Sequence, residues 1–192
     1  MKNKSIAQLT ALLLASTLAV SANAVDSYTV DSTHTYPAFE INHMGFSTQR
    51  GRFDKTTGKI VLDAAAKKGM IEINIDVNSL NMGLEKWNEH LKSPDFFDAA
   101  KFASMKFTAT KLTFDKEKLV AAEGEFTLLG VAKPLTIKVS NFACGAHPMN
   151  KKTVCGAEIS ATIKRSDFGM MRYLPLVGDE VKIFAPIEAI KD

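Results

Sequence analysis

Period-two alternation of apolar and polar side chains dominates this chain. Ile71, Ile73, Ile75 and Val77 face one way while Glu72, Asn74 and Asp76 face the other. Leu135, Ile137 and Val139 alternate with Thr136, Lys138 and Ser140, and Ala157, Ile159, Ala161 and Ile163 alternate with Glu158, Ser160, Thr162 and Lys164. Weaker alternation runs through Tyr28–Asp31, Ala38–Asn42, Lys59–Asp63, Met105–Thr110, Leu119–Leu128 and Glu180–Ile190. Each run predicts a strand with one buried face and one wet face. Turn signals at Thr57-Gly58, Lys68-Gly69, Asp115-Lys116, Lys133-Pro134 and Val177-Gly178-Asp179 separate the runs. Many short-connected antiparallel strands in one all-β domain require either a sandwich or a closed barrel. Closure removes exposed edges, and about eight strands leave an interior that can hold one small ligand.

One segment breaks the alternation. Leu84, Trp87 and Leu91 recur at i, i+3 and i+7, the spacing of one face of a short helix. Pro94 cannot continue that helix and pushes Ser93 out of the helical region. The stretch His90-Leu91-Lys92-Ser93-Pro94-Asp95-Phe96-Phe97-Asp98 is therefore predicted to end a helix and to hold two adjacent aromatics in a tight segment. In an all-β chain, such a helix plugs or lids something. The pattern weighs a hollow interior and a filled one evenly. Small inward candidates (Ala157, Ala161), 12 Phe and 8 Met suit an adaptable pocket, and equally suit an ordinary core.

The N-terminus changes the picture of compartment. Lys2 and Lys4 precede an apolar run from Ile6 to Val20, and Ala22-Asn23-Ala24 has the small-x-small form of a signal peptidase site. Residues 1–24 are predicted to be a cleaved secretory signal, leaving 25–192 as one domain. The run is shorter than the ~20 residues a membrane anchor needs. No cysteine near the cleavage site offers a lipid attachment point, and no later stretch is apolar enough to cross a membrane.

Net charge is +3, of which the signal supplies two, so the exported part is close to neutral. That balance removes the electrostatic case for nucleic acid or an anionic membrane surface. Cys144 and Cys155, in an oxidising compartment, are predicted to form a structural disulfide. A metal reading would need more short-spaced ligands than His147 alone.

An ordered set of motifs then carries a resemblance. Tyr28-Thr29-Val30-Asp31 with His34, Phe39 with His43-Met44-Gly45-Phe46, and Gly51-Arg52-Phe53 with Gly58 open the set. The helix-to-loop motif His90–Asp98, Leu128-Leu129-Gly130-Val131 with Lys133-Pro134, Arg165-Ser166-Asp167-Phe168-Gly169-Met170 and Val177-Gly178-Asp179-Glu180-Val181 complete it. In this order they resemble the YceI-like family of exported polyisoprenoid-binding proteins across essentially the whole mature region. Tyr36 and Leu129 depart from the pattern, where smaller or more polar residues are expected.

The resemblance implies a lipocalin-like antiparallel β-barrel enclosing a long isoprenoid chain, in some members an isoprenoid quinone. It turns the hollow interior into the favoured reading. The expected protein is a non-catalytic carrier or store in the periplasm of a Gram-negative bacterium, with ubiquinone the favoured type of cargo. No other cofactor is expected, and homodimerisation is a prospect the family raises. Candidate tail-lining residues are Phe39, Ile41, Phe46, Phe53, Trp87, Leu91, Phe96, Phe107, Phe126 and Met170, with ordinary core the rival reading for about half of them.

Among polar candidates, Arg165 is weighed as a head-group contact against pairing with Asp167, and pairing is favoured. His43 is weighed as a donor to a quinone carbonyl against satisfaction by backbone. His34, His43 and His90 supply the three ligands a catalytic zinc needs, but no His-Glu-x-x-His helix is present, and no metal is expected. Ser32 near His34 and Ser166 beside Asp167 are the only nucleophile candidates, and neither stands in a Gly-x-Ser-x-Gly elbow. An exported interaction scaffold and, behind it, a hydrolase remain the alternatives.

Overall fold

Eleven strands form among residues 25–192, the residues described by this computed structural model. The predicted signal, 1–24, lies outside the described residues. The strands are β1 (Asp26–Val30), β2 (Ala38–His43), β3 (Ser47–Phe53), β4 (Thr56–Asp63), β5 (Lys68–Asp76) and β6 (Leu80–Asn81). A single α-helix, α1 (Glu85–Lys92), follows. Then come β7 (Ser104–Asp115), β8 (Lys118–Leu128), β9 (Val131–Ala146), β10 (Thr153–Lys164) and β11 (Val177–Lys191). Strands β1, β4, β5, β7, β8, β9, β10 and β11 make a closed antiparallel ring of eight, sealed where β1 pairs with β11.

The long strand β11 organises the ring. One of its edges pairs with β10 from Val154↔Ile190 to Lys164↔Glu180. Its other edge is shared: β1 takes the lower part (Tyr28↔Lys191, Val30↔Ala189) and β2 the upper (Phe184↔Ala38, Val181↔Ile41). Where β1 has ended and β2 not begun, the buried Thr35 hydroxyl fills the break. It accepts from Glu188 N at 3.1 Å and donates at 3.3 Å to Glu188 O, which also accepts from Asp31 N at 2.9 Å, so both backbone groups keep partners. At the seam, the Asp192 carboxylate accepts from the Ser27 and Thr29 hydroxyls and pairs with Lys59 Nζ at 2.9 Å. These contacts, Ser27 foremost, hold its pKa below the ordinary carboxylate range.

At the upper end the wall opens. Strand β2 continues to β3 and β3 to the two-residue β6, which ends the sheet order and has no further strand partner among the described residues. The helix and the segment after it follow directly from that edge. Pro94 ends α1 as the sequence predicts, with Ser93 extended at ψ 166°. The chain then coils back: Phe97 N donates to Leu91 O and Ala99 N to Lys92 O, both at 3.0 Å, satisfying carbonyls the helix end leaves open. Leu84 caps the helix without a side-chain bond and is exposed, so the helix's inward face is Trp87 and Leu91 rather than all three predicted positions.

Four predicted turns fall inside or at the start of strands. Gly58 lies within β4, and it is glycine because a Cβ there would come within 2.4 Å of the Glu72 carbonyl on β5. Lys133-Pro134 lies within β9; the reversal comes earlier, at Leu129-Gly130, both with positive φ (52° and 72°), between the paired Leu128 and Val131. Gly178 opens β11, beside a register shift between Val177 and Val181. Asp115-Lys116 turns as predicted, with Lys116 at φ 56°, and Lys67 at φ 54° makes the turn just before Lys68-Gly69. The predicted runs missed β3 and β6, which are polar and very short, respectively.

The disulfide joins directly opposed residues of β9 and β10, with Cα atoms 4.0 Å apart. Cys155 packs with Tyr28, Leu62 and Ala189 into a small apolar cluster at the lower end. Closing an 11-residue separation removes unfolded-chain entropy, a contribution of roughly 2–3 kcal/mol. Replacing both cysteines by serine should lower stability by about that amount in urea unfolding. Quantitative alkylation of both thiols in the native, unreduced protein would contradict the bond.

Candidate ligand-binding site

Inward positions alternate along each strand, so the odd-numbered side chains of β10 and β11 line the interior from end to end. Ile163 and Val181 stand in the upper part, Ala157, Ala161, Ala185 and Ala189 in the lower. The interior is a pair of cavities, about 290 Å³ above and about 120 Å³ below. The upper one opens past Met44, Trp87 and Tyr173, all partly exposed.

Most predicted tail-lining residues converge there. Phe39, Ile41, Phe53, Trp87, Leu91, Phe96, Phe126 and Met170 line the upper cavity, with His43 at its wall. Their rings pack edge-on or tilted: Phe53–Phe97 centroids are 5.4 Å apart, Phe39–Phe53 6.0 Å and Phe126–Phe168 5.7 Å. Phe107 stands elsewhere, in the lower cavity. Phe46 does not line either cavity and is 90% exposed. Met44 and Gly45 take positive φ (56° and 75°) and turn the chain, so the inward alternation of β2 stops at His43. Sequence reasoning missed Phe97, Met82, Met105, His90 and Tyr173 as lining residues. The adjacent aromatics of the post-helical motif were the one signal that pointed to Phe97.

Polar groups are few and sit towards the mouth. His43 lies 6.4 Å from the Trp87 ring, and His90 stacks edge-on against Phe96 at 4.9 Å and approaches Tyr173 at 6.4 Å. Arg165 lines the upper cavity but is only 2% exposed. The expected pairing with Asp167 does not form. The guanidinium instead donates to three backbone carbonyls, Gly178 (2.8 Å), Met170 (2.8 Å) and Val177 (3.0 Å). Burial lowers its pKa while Asp179 opposes that shift. Arg165 thus ties the two ends of the 171–176 segment together at the mouth, holding the Met170 carbonyl at one end and those of Val177 and Gly178, at the start of β11, at the other.

The nucleophile candidates are differently engaged. Ser166 Oγ donates to Asp179 Oδ2 at 2.8 Å, while its N–H donates to Oδ1 at 2.9 Å, and these bonds lower the Asp179 pKa, backbone first. His34 bonds Asp31 and Thr33 rather than Ser32. The histidines weighed as a zinc set part company: His43 and His90 line the upper cavity, whereas His34 Nδ1 meets Asp31 Oδ2 at 2.8 Å and approaches Glu188 Oε2 at 3.9 Å. Glu188 reaches His34 through the β1–β11 register, which no local spacing signals. His147 instead caps the β9–β10 loop, accepting from Met149 and Asn150 N–H groups at 3.3 and 3.4 Å.

The YceI-like domain matches residues 28–189. The chain belongs to the YceI-like family. A UPF0312 protein of Shewanella denitrificans is 33% identical over 186 residues, covering 95% of this chain and 97% of that one. The solved YceI protein of Campylobacter jejuni has a TM-score of 0.65 at 26% identity, over 79% of this chain and 90% of that one. A solved polyisoprenoid binding domain from Saccharophagus degradans shares the fold, with a TM-score of 0.62 at 17% identity, covering 86% of this chain and 98% of that one. Among the described residues, no helix is long and apolar enough to cross a membrane.

Two predictions follow from this geometry. Arg165→Met should cost on the order of 3 kcal/mol in urea unfolding, because buried carbonyls lose their donor. The Asp31–His34 pair sets a pH dependence. His34 hydrogen bonding lowers Asp31 to about 2, and the same bond raises His34 above its ordinary value. The Asp31 contribution is present above its unfolded value near 4 and is lost as pH falls towards 2. The His34 contribution is complete below about 6.5 and is lost as pH rises through the raised value. His34→Gln should therefore lower the melting temperature at pH 5 and leave it nearly unchanged at pH 9. Equal losses at both pH values would contradict the pairing.

Proposed function

We propose that this protein carries or stores a long-chain polyisoprenoid, with an isoprenoid quinone of the ubiquinone type as the favoured cargo and the periplasm as its place of work. One observation carries the reading: an apolar, ring-lined cavity enters the barrel at a mouth where the polar groups His43, His90 and Tyr173 gather. A prenyl tail gains roughly 0.8 kcal/mol per CH₂ removed from water, and such a wall offers that burial along its length. The few polar groups suit a head group that needs orientation rather than charge pairing. The polyisoprenoid binding domain of the same fold supports the class of cargo. Binding rather than catalysis is the reading because Ser32 and Ser166 stand outside the lining and the Ser166 hydroxyl donates to Asp179. The predicted signal at residues 1–24 supports export, and a closed barrel holds its cargo whether single or paired in a homodimer.

A second reading, an interaction scaffold, is favoured by exposed Met44, Phe46, Leu84, Met171 and Leu176 on the loops and helix start of the upper end. Mass spectrometry of an organic extract from detergent-free protein separates the two. A stoichiometric isoprenoid lipid is expected, and an extract without lipid from a protein that also takes up none would favour the scaffold.

Trp87, the only tryptophan, lines the cavity and is 37% exposed, which makes it a reporter of filling. Quinone titrations followed by Trp87 quenching should weaken about tenfold or more in Phe96→Ala. Lys116→Asn, on the distant β7–β8 turn, should bind as the wild type does. Affinity should hold at high salt, since apolar burial is not screened. A steep loss with salt would mean that charge dominates.

A further inference from the structure

The two cavities share four lining residues, Pro37, Ile75, Phe126 and Ile183, so one layer of side chains separates them. Both lie along the same inward rows. From Val181 to Ala189, β11 runs about 26 Å past both cavities at ~3.3 Å per residue. Phe126 is the largest member of the layer, and its ring is held edge-on by Phe168 at 5.7 Å. The upper cavity, at about 290 Å³, sits at the low end of the space that houses a drug-sized ligand, roughly 300–1,000 Å³. A head group and a short tail fill it, and a longer tail has to go further.

The space beyond is lined by Ala157, Ala161, Ala185 and Ala189 where leucines would have filled it. An empty apolar void destabilises a fold in proportion to its volume. Small residues kept on two adjacent strands therefore mark room for an occupant. Resting on the carrier reading, we propose that Phe126 and its three neighbours form a partition that sorts isoprenoid ligands by tail length. Short tails end above it. Long tails displace the Phe126 ring, enter the lower chamber and gain the burial that short ones lack.

The test uses protein stripped of endogenous lipid and two probe series with one-unit to eight-unit isoprenoid tails. One series is quinones, read by Trp87 quenching. The other is polyprenyl alcohols, read by competition. Each buried methylene is worth about fourfold in affinity, so the wild-type ratio of long-tail to short-tail affinity should exceed about a hundredfold in both series. Ala157→Leu fills the lower chamber and should cut that ratio to below about tenfold, as should the milder Ala161→Val in part. Phe126→Ala removes the partition and should speed uptake of long tails without lowering the ratio.

A folded Ala157→Leu or Ala161→Val protein with the wild-type ratio overturns the partition, as does a wild type that binds all lengths equally. Failure of every length in both series overturns the carrier reading itself, and the partition with it. Binding of quinones but not alcohols, with the tail ratio intact, supports the partition and assigns the head group a share of the affinity.

Discussion

The fold depends on how the two edges of β11 are used. One edge pairs with a single strand over its whole length, and the other is divided between β1 and β2. That division makes the barrel closed below and splayed above. Below, β1 passes the ring on to β4; above, β2 passes it to β3 and a two-residue β6 that ends the sheet. A helix and a coiled post-helical segment follow at the splayed end, and the mouth lies there. Thr35 gives the Glu188 N–H its acceptor where β1 has ended, and the Glu188 carbonyl takes bonds from both Thr35 and Asp31, so the division orphans neither group.

The chemistry follows from that asymmetry. His43, Gln49, His90, Arg165 and Tyr173 all belong to the upper lining, whereas the lower lining is apolar apart from Tyr28. Arg165 shows the distinction. It reads as a charged residue in a distinctive motif, yet its guanidinium is used to hold the rim loop rather than left free at the cavity. Placing a guanidinium among apolar rings is sustainable because three carbonyls are aimed at it.

Nine of the eleven strands and the helix were legible in alternation and helical spacing, since those periods are set by which face is buried. The two missed strands had little face to bury: β3 carries Ser, Thr, Gln and Arg, and β6 has two residues. Gly58 and Pro134 read as turns because turn propensity is local, whereas the close approach of β5 to Gly58 and the pairing of β9 with β8 are tertiary facts. Eight of the ten tail-lining candidates reach the upper cavity, because inward alternation and the helix face could be traced from residue to residue. Phe46 could not, since its placement turns on two positive-φ residues. His90 and Tyr173 approach each other only through the fold, so no spacing announced the polar side of the mouth.

The β1–β11 seam also sets the order in which the protein can assemble. Tyr28 pairs with Lys191, so the ring cannot seal until its first and eleventh strands meet. Contacts of such long sequence separation are slow to form, because loop-closure entropy must be met before they stabilise anything. Hairpins such as β7–β8 and β8–β9 are local and can form early, but the nascent barrel keeps an open edge until its last strand docks. Until β11 docks, the ring is unsealed and the chain can still be drawn out in extended form. It is also exposed to edge-to-edge association over that same interval.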